Sequence, residues 1–163
     1  MNVAEQKVYF ILEQLNIKYE KLEHPPVYTL DEFIKVVPNL KGSYCKNLFL
    51  RNKKGNQHYL VIYSETKKVN LKKLTKELNE DNLSFASPAR LNKYLGLEAG
   101  SVSPFGVIND KEHHVIVILD KNIKEQEWVN FHPNLNTITI TIKYLDLIKF
   151  LKYCGNQVKE LSL

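Results

Sequence analysis

Four groups of residues in this chain have the type and spacing to do chemistry. Gly100-Ser101-Val102-Ser103-Pro104 is the first. Its glycine permits backbone angles closed to other residues, and its proline stiffens the exit. A loop of this kind can turn several N–H groups towards an anion or a developing oxyanion, and it equally suits an ordinary connection. Lys46, with Asn47 beside it at the start of an apolar stretch, can hold a phosphate as a point charge or lie as a snorkelling edge residue. In Asn130-Phe131-His132-Pro133 the proline restricts the histidine backbone and can aim its ring; the alternative is a loop histidine facing solvent. The last group is the basic run Lys67, Lys68, Lys72, Lys73 and Lys76, suited to a nucleic-acid backbone or to a solvated helix face.

Other chemistries lack their residues. Neither Gly-x-Gly-x-x-Gly nor Gly-x-x-x-x-Gly-Lys occurs, so the dinucleotide and P-loop signatures are missing. Gly-x-Ser-x-Gly is also missing, which weakens a serine hydrolase reading. The five histidines show no His-x-x-x-His spacing, and His113 and His114, read as strand residues, would face opposite ways. No metal site is expected. Two cysteines, Cys45 and Cys154, make no disulfide framework and read as reduced thiols.

The elements that must position these residues can be read from the pattern. Val8, Ile11, Leu12 and Leu15 form a helical stripe, and a short strand is expected over Lys18 to Leu22 before His24-Pro25-Pro26. Thr29 and Glu32 make a capping box for a helix reaching about Val37. Asn47–Arg51 and His58–Tyr63 flank a polar turn with Gly55, a hairpin signal. Asn70 caps a helix carrying Leu71, Leu74 and Leu78, and Ser87, Pro88 and Gly96 frame another. Phe105–Ile108 and Val115–Leu119 read as a second hairpin, and Thr137–Ile142 as a strictly alternating strand. A helix from Tyr144 to about Tyr153 ends at Gly155, ahead of a final Val158–Leu163 segment. Together these predict one α+β domain over residues 1–163 with a mixed or antiparallel sheet.

Composition sets the outer bounds. The 163 residues are 44% hydrophobic and 25% charged, enough apolar surface to offset the entropy of ordering. A net charge of +5 permits a polyanionic partner without requiring one. The opening Met1-Asn2-Val3-Ala4-Glu5 lacks a leader pattern, and no apolar run approaches the ~20 residues that span a bilayer. A cytoplasmic location with no membrane partner is expected.

Five stretches, in order, carry a resemblance. They are His24-Pro25-Pro26-Val27-Tyr28-Thr29, Lys46 to Arg51, Leu83 to Leu91, Gly100 to Asp110, and Asn130 to Asn134. Together they resemble the YbaK/ProX family of aminoacyl-tRNA editing domains, and more closely its free-standing branch. The resemblance spans essentially the whole chain. It implies a barrel-like mixed sheet with surrounding helices and hydrolysis of the ester joining a wrong amino acid to tRNA. In that branch the substrate is alanine on the proline tRNA. By the same resemblance Lys46, Gly100 and His132 are the catalytic positions. Asn47, Ser101, Val102, Ser103, Pro104, Val27 and Tyr28 would surround the substrate, and Lys46 and Arg90 would meet the tRNA. No cofactor or metal is implied. The implied partners are the acceptor end of the tRNA and, beside it, prolyl-tRNA synthetase or an elongation factor.

Aminoacyl esters are already activated, so a positioned water and oxyanion stabilisation can suffice without a nucleophile or metal. Two neighbouring readings stay open: removal of cysteine or another small residue, and a non-catalytic module that binds tRNA or a synthetase. An unrelated small-ligand domain is the third.

Overall fold

Residues 2–163 are described by a computed structural model. Helix α1 (Val3–Gln14) starts at an Asn2/Glu5 capping box and leads to β1 (Glu20–Glu23). Helix α2 (Leu30–Val36) opens on the Thr29/Glu32 box expected from the sequence, and precedes β2 (Ser43–Asn52) and β3 (His58–Ser64). Then come α3 (Leu71–Glu77), capped by Asn70, β4 (Leu83–Phe85), and α4 (Pro88–Leu95), capped by Ser87 and closed by left-handed Gly96. The remainder holds β5 (Val115–Asp120), β6 (Trp128–Phe131), β7 (Ile138–Lys143), α5 (Tyr144–Cys154) and β8 (Val158–Leu161).

The eight strands form one mixed sheet in the order β1-β7-β6-β2-β3-β5-β8, with β4 added to β2. The α+β expectation holds. Strand β3 lies between β2 and β5, and all seven of its residues are buried. Its side chains alternate between two cores. Leu60 and Ile62 join the larger one with Val8 and Leu12 of α1 and Leu147 and Phe150 of α5. Tyr59, Val61 and Tyr63 join the smaller one with Leu74 of α3.

Three sequence expectations need correction. Phe105–Ile108 is not a hairpin strand but part of a 3-10 helix, Pro104–Asn109. Ser103 caps it, Pro104 supplies a preset φ, and the apolar run is buried all round, a pattern whose periodicity does not separate strand from helix. A Cβ on Gly106 would fall 2.7 Å from Leu97 Cδ1, so this packing depends on glycine. His113 and His114 precede β5 rather than lying on it: His113 has φ +54°, and His114 Nε2 lies 2.9 Å from His58 Nδ1. Lys46 also sits deeper than expected, as the fourth residue of β2, because pairing begins at Ser43.

Candidate active site

The site begins as an interruption in strand pairing. β2 pairs with β3 along nearly its whole length. On its other edge, β6 takes Ser43 and Tyr44, and β4 takes Leu50 to Asn52. Among the described residues no strand covers the segment between them. Glu65 N–H donates to Tyr44 O (3.0 Å) and Asn52 N–H to Gln57 O (3.1 Å), so even-numbered residues turn their main chain to β3. Antiparallel alternation sends the main chain of Cys45, Asn47 and Phe49 the opposite way, as the Ala86 N–H to Phe49 O bond (2.9 Å) demonstrates. Asn47 therefore turns its peptide groups into the interruption.

A cavity of about 250 Å³ occupies this place. It is smaller than the ~300–1,000 Å³ of pockets for drug-sized ligands. Val27, Tyr28, Leu30 and Phe33 wall it from the α2 side, Lys46, Asn47 and Tyr63 from the sheet, and Gly100, His132 and Thr139 close it. The α2 wall is held by its cap: Glu32 Oε2 accepts from Tyr28 N–H (2.8 Å) and Thr29 Oγ1 accepts from Glu32 N–H (3.2 Å). No carboxylate lines the cavity.

Lys46 is exposed at this cavity and forms no ion pair among the described residues. Its charge is free for an incoming anion. Asn47 keeps its Oδ1 buried with no hydrogen-bond partner, a cost unless a ligand or water donates to it. His132 donates from Nδ1 to Ile138 O (2.8 Å), which leaves the Nε2 lone pair without a protein partner. Burial pushes its pKa below the ordinary histidine value, and nearby His24 acts in the same direction against the Ile138 carbonyl. The ring is thus a neutral base at neutral pH. Cys45 also lines the cavity, but burial first and Glu65 second push its thiol up to about 12, which removes it as a nucleophile.

The sequence expectations divide here. Lys46, Asn47, Val27, Tyr28, Gly100 and His132 meet at one cavity. Ser101, Val102, Ser103 and Pro104 are not part of its lining. The Ser101 N–H is occupied by Glu98 O (3.1 Å), and the Phe105 N–H by Ser103 Oγ (3.2 Å). Ser103 is fully buried and its hydroxyl donates to His132 O (2.5 Å), so it braces the histidine from behind. Only Gly100, at φ +86°, brings the loop to the cavity, with Tyr28 across from it. Arg90 lies elsewhere, donating to Gly55 O (2.8 Å), its Nη1 3.1 Å from His58 Nε2. Three wall residues carried no chemical signal in the sequence: Phe33, Tyr44 and Thr139. Thr139 was visible only as one threonine of an alternating strand. Among the described residues, no three His, Cys, Asp or Glu side chains gather as metal ligands, and no helix is long and apolar enough to cross a membrane.

A compact mixed sheet, opened at one strand edge, brings an exposed lysine, a buried unpartnered amide oxygen and a neutral imidazole to the lining of one small pocket. The chain belongs to the aminoacyl-tRNA editing domain family, a class of aminoacyl-tRNA hydrolases; residues 24–150 carry the match. It is 45% identical over 160 residues to the prolyl-tRNA editing protein ProX of Acetoanaerobium sticklandii, covering 98% of each chain. It is also 34% identical over 149 residues to the prolyl-tRNA synthetase associated domain-containing protein 1 of Bos taurus, covering 89% of this chain and 86% of that one. Among solved structures, one described as a candidate trans-editing enzyme for prolyl tRNA synthetase superposes with a TM-score of 0.73 at 22% identity. That superposition covers 100% of this chain and 99% of the other.

Proposed function

We propose that this protein is a free-standing deacylase that hydrolyses alanine from the proline tRNA. The observation that carries this reading is the meeting of Lys46, Asn47 and His132 at one small cavity, with Asn47 Oδ1 unpartnered and His132 Nε2 bare. Lys46 holds a phosphate next to the terminal adenosine. Asn47 Oδ1 accepts from the α-ammonium of the acyl group, the one cation that this carboxylate-free cavity has to receive. Gly100 allows the ester carbonyl to approach the main chain without a Cβ in the way.

In the reaction, water attacks the ester carbonyl carbon while His132 Nε2 accepts its proton. The tetrahedral intermediate collapses, the bond from carbon to ribose oxygen breaks, and the proton passes from His132 to that oxygen. Free alanine and intact tRNA leave. No covalent enzyme intermediate forms. Val27, Tyr28 and Phe33 bound the space for the amino-acid side chain, so exclusion by size supports alanine over proline. Arg90, outside the acyl site, would meet the tRNA on the neighbouring face. A cytoplasmic location and a hand-over from prolyl-tRNA synthetase accord with such a role.

The test is a panel of Ala-, Cys-, Ser- and Pro-charged proline tRNAs, scored for deacylation by the purified protein. Preferred loss of alanine supports the reading. Preferred loss of cysteine or serine moves the assignment to another small residue, and stable binding without hydrolysis makes the protein a non-catalytic module.

A further inference from the structure

Behind His132 lies a second histidine that the reaction described above does not use. His24 precedes the two prolines ahead of α2, and its backbone N–H is fixed to Thr137 O, just ahead of β7 (2.9 Å). Between the two rings, whose centroids are 5.8 Å apart, stands Thr139, only 2% exposed. The hydrogens of this group can be placed from their acceptors. Carbonyl oxygens only accept, so His24 Nδ1 donates to Pro25 O (2.9 Å) and His132 Nδ1 donates to Ile138 O (2.8 Å). His24 Nε2 is then an acceptor, and the Thr139 hydroxyl donates to it at 3.0 Å. That leaves a Thr139 lone pair for His132 Nδ1–H at 3.5 Å, a weaker second acceptor for the same proton.

We propose that His24 and Thr139 are positioning residues for His132: with the threonine hydroxyl donated to His24 Nε2, the threonine lone pair favours the His132 tautomer that carries its proton on Nδ1 and leaves Nε2 bare. This inference rests on the deacylase reading for its kinetic consequences, but the hydrogen-bond order stands on geometry alone. Phe33 packs edge-on against both rings, at 5.1 Å from His24 and 6.1 Å from His132, so neither imidazole turns freely. Protonating His24 reverses the relay. Its Nε2–H then donates to Thr139 Oγ1, and the hydroxyl proton loses the acceptor that held it away from His132 Nδ1. The added charge also opposes proton uptake by His132 during attack. Other titratable groups at the cavity are Lys46, Cys45, Tyr28, Tyr44 and Tyr63, and none is a carboxylate that could compensate the charge.

Thr139→Val keeps the β-branched shape and removes the bridge, Thr139→Ser restores it, and His24→Phe keeps a ring against Phe33 without nitrogen. Thermal melts first establish that each variant folds. Single-turnover deacylation of Ala-tRNA(Pro) is then followed from pH 5 to 8. Thr139→Val is expected to slow the chemical step about tenfold with substrate affinity within twofold, and Thr139→Ser to recover to within about threefold. His24→Phe, which removes the acceptor of the Thr139 hydroxyl, should slow the chemical step as Thr139→Val does. Long-range proton–nitrogen spectra of the histidines, recorded without tRNA, should show His132 protonated at Nδ1 in the native protein and a mixture in Thr139→Val. The proposal is overturned if Thr139→Val matches the native tautomer and pH profile, or if Thr139→Ser is as slow as Thr139→Val. If the spectra change as expected while no tRNA is deacylated by any variant or by the native protein, the relay stands and the deacylase reading falls.

Discussion

Asn47→Leu should make the protein more stable and less active at once. In the folded chain Asn47 forms no side-chain hydrogen bond among the described residues, and its Oδ1 is buried without a partner. Leucine has nearly the same reach, suits a strand, and has no polar atom to desolvate. Relieving a buried unsatisfied acceptor is worth about 1–3 kcal/mol, and the lower end applies because the residue borders a cavity that water can enter. At roughly 2–4 °C per kcal/mol for a chain of this length, the melting temperature should rise by a few degrees. Activity should move the other way. A hydrogen bond from an α-ammonium to Oδ1 is charge-assisted and worth about 1.5–3 kcal/mol, so kcat/KM for Ala-tRNA(Pro) should fall roughly ten- to a hundredfold. The two quantities are read by calorimetry and by deacylation on one preparation. A drop in melting temperature refutes the claim that Oδ1 lacks a structural partner. Unchanged kcat/KM refutes its role in holding the acyl group.

Lys46→Ala should leave stability nearly unchanged, since the side chain is exposed without an ion pair, and lower kcat/KM about ten- to a hundredfold, measured below saturation. Gly100→Ala places a Cβ 3.2 Å from Tyr28 Cδ1 at φ +86°, so a stability loss of about 1–2 kcal/mol and at least tenfold slower turnover are expected in paired melts and single-turnover assays. Ser103→Ala removes a buried hydroxyl bonded to His132 O and Phe105 N–H, and should destabilise by about 1–3 kcal/mol in denaturant titrations, unlike Ser101→Ala. His58 is fully buried, and burial, with His114, Arg90, Lys93 and Arg51 adding, lowers its pKa to about 4. Below an unfolded value of about 6.5 the unfolded chain binds the extra proton, so stability should decline from about pH 6.5 down to about 4, a slope that His58→Phe flattens in pH-dependent melts.

Local signals survived wherever one short segment determined the outcome. The Thr29/Glu32 box, the Asn70 and Ser87 caps and the closing glycines at 96 and 155 satisfy backbone groups within a turn of themselves. The Phe105 segment misled because burial on every side erases periodicity, and its helical start is a Ser103 cap followed by Pro104, with Gly106 fitted closely against Leu97. The site was legible where a residue type is costly to keep: a lysine in an apolar strand, a histidine before proline. It was illegible at Thr139 and Phe33, whose importance comes from where β7 and α2 bring them. Ser103 shows the reverse case. Its place in a chemically suggestive loop pointed to the substrate, yet its hydroxyl is turned to the back of His132.

The uncovered edge of β2 has a consequence for how selectivity can drift. The peptide groups of Asn47 offer a donor and an acceptor in the arrangement of a missing strand, beside the Oδ1 and Gly100 that in the proposed reaction receive the ammonium and carbonyl every aminoacyl ester shares. On the proposed reading the sheet edge and Gly100 thus address what is common to all aminoacyl esters, while Val27, Tyr28 and Phe33, carried by a short separate helix and its approach, address what differs. These two tasks fall on different elements with different tolerance for change. Replacing a wall residue alters which acyl groups fit without touching hydrogen bonds that hold the sheet together. A lineage built on this frame could therefore exchange one small amino acid for another through a few apolar substitutions, with the hydrolytic apparatus left in place.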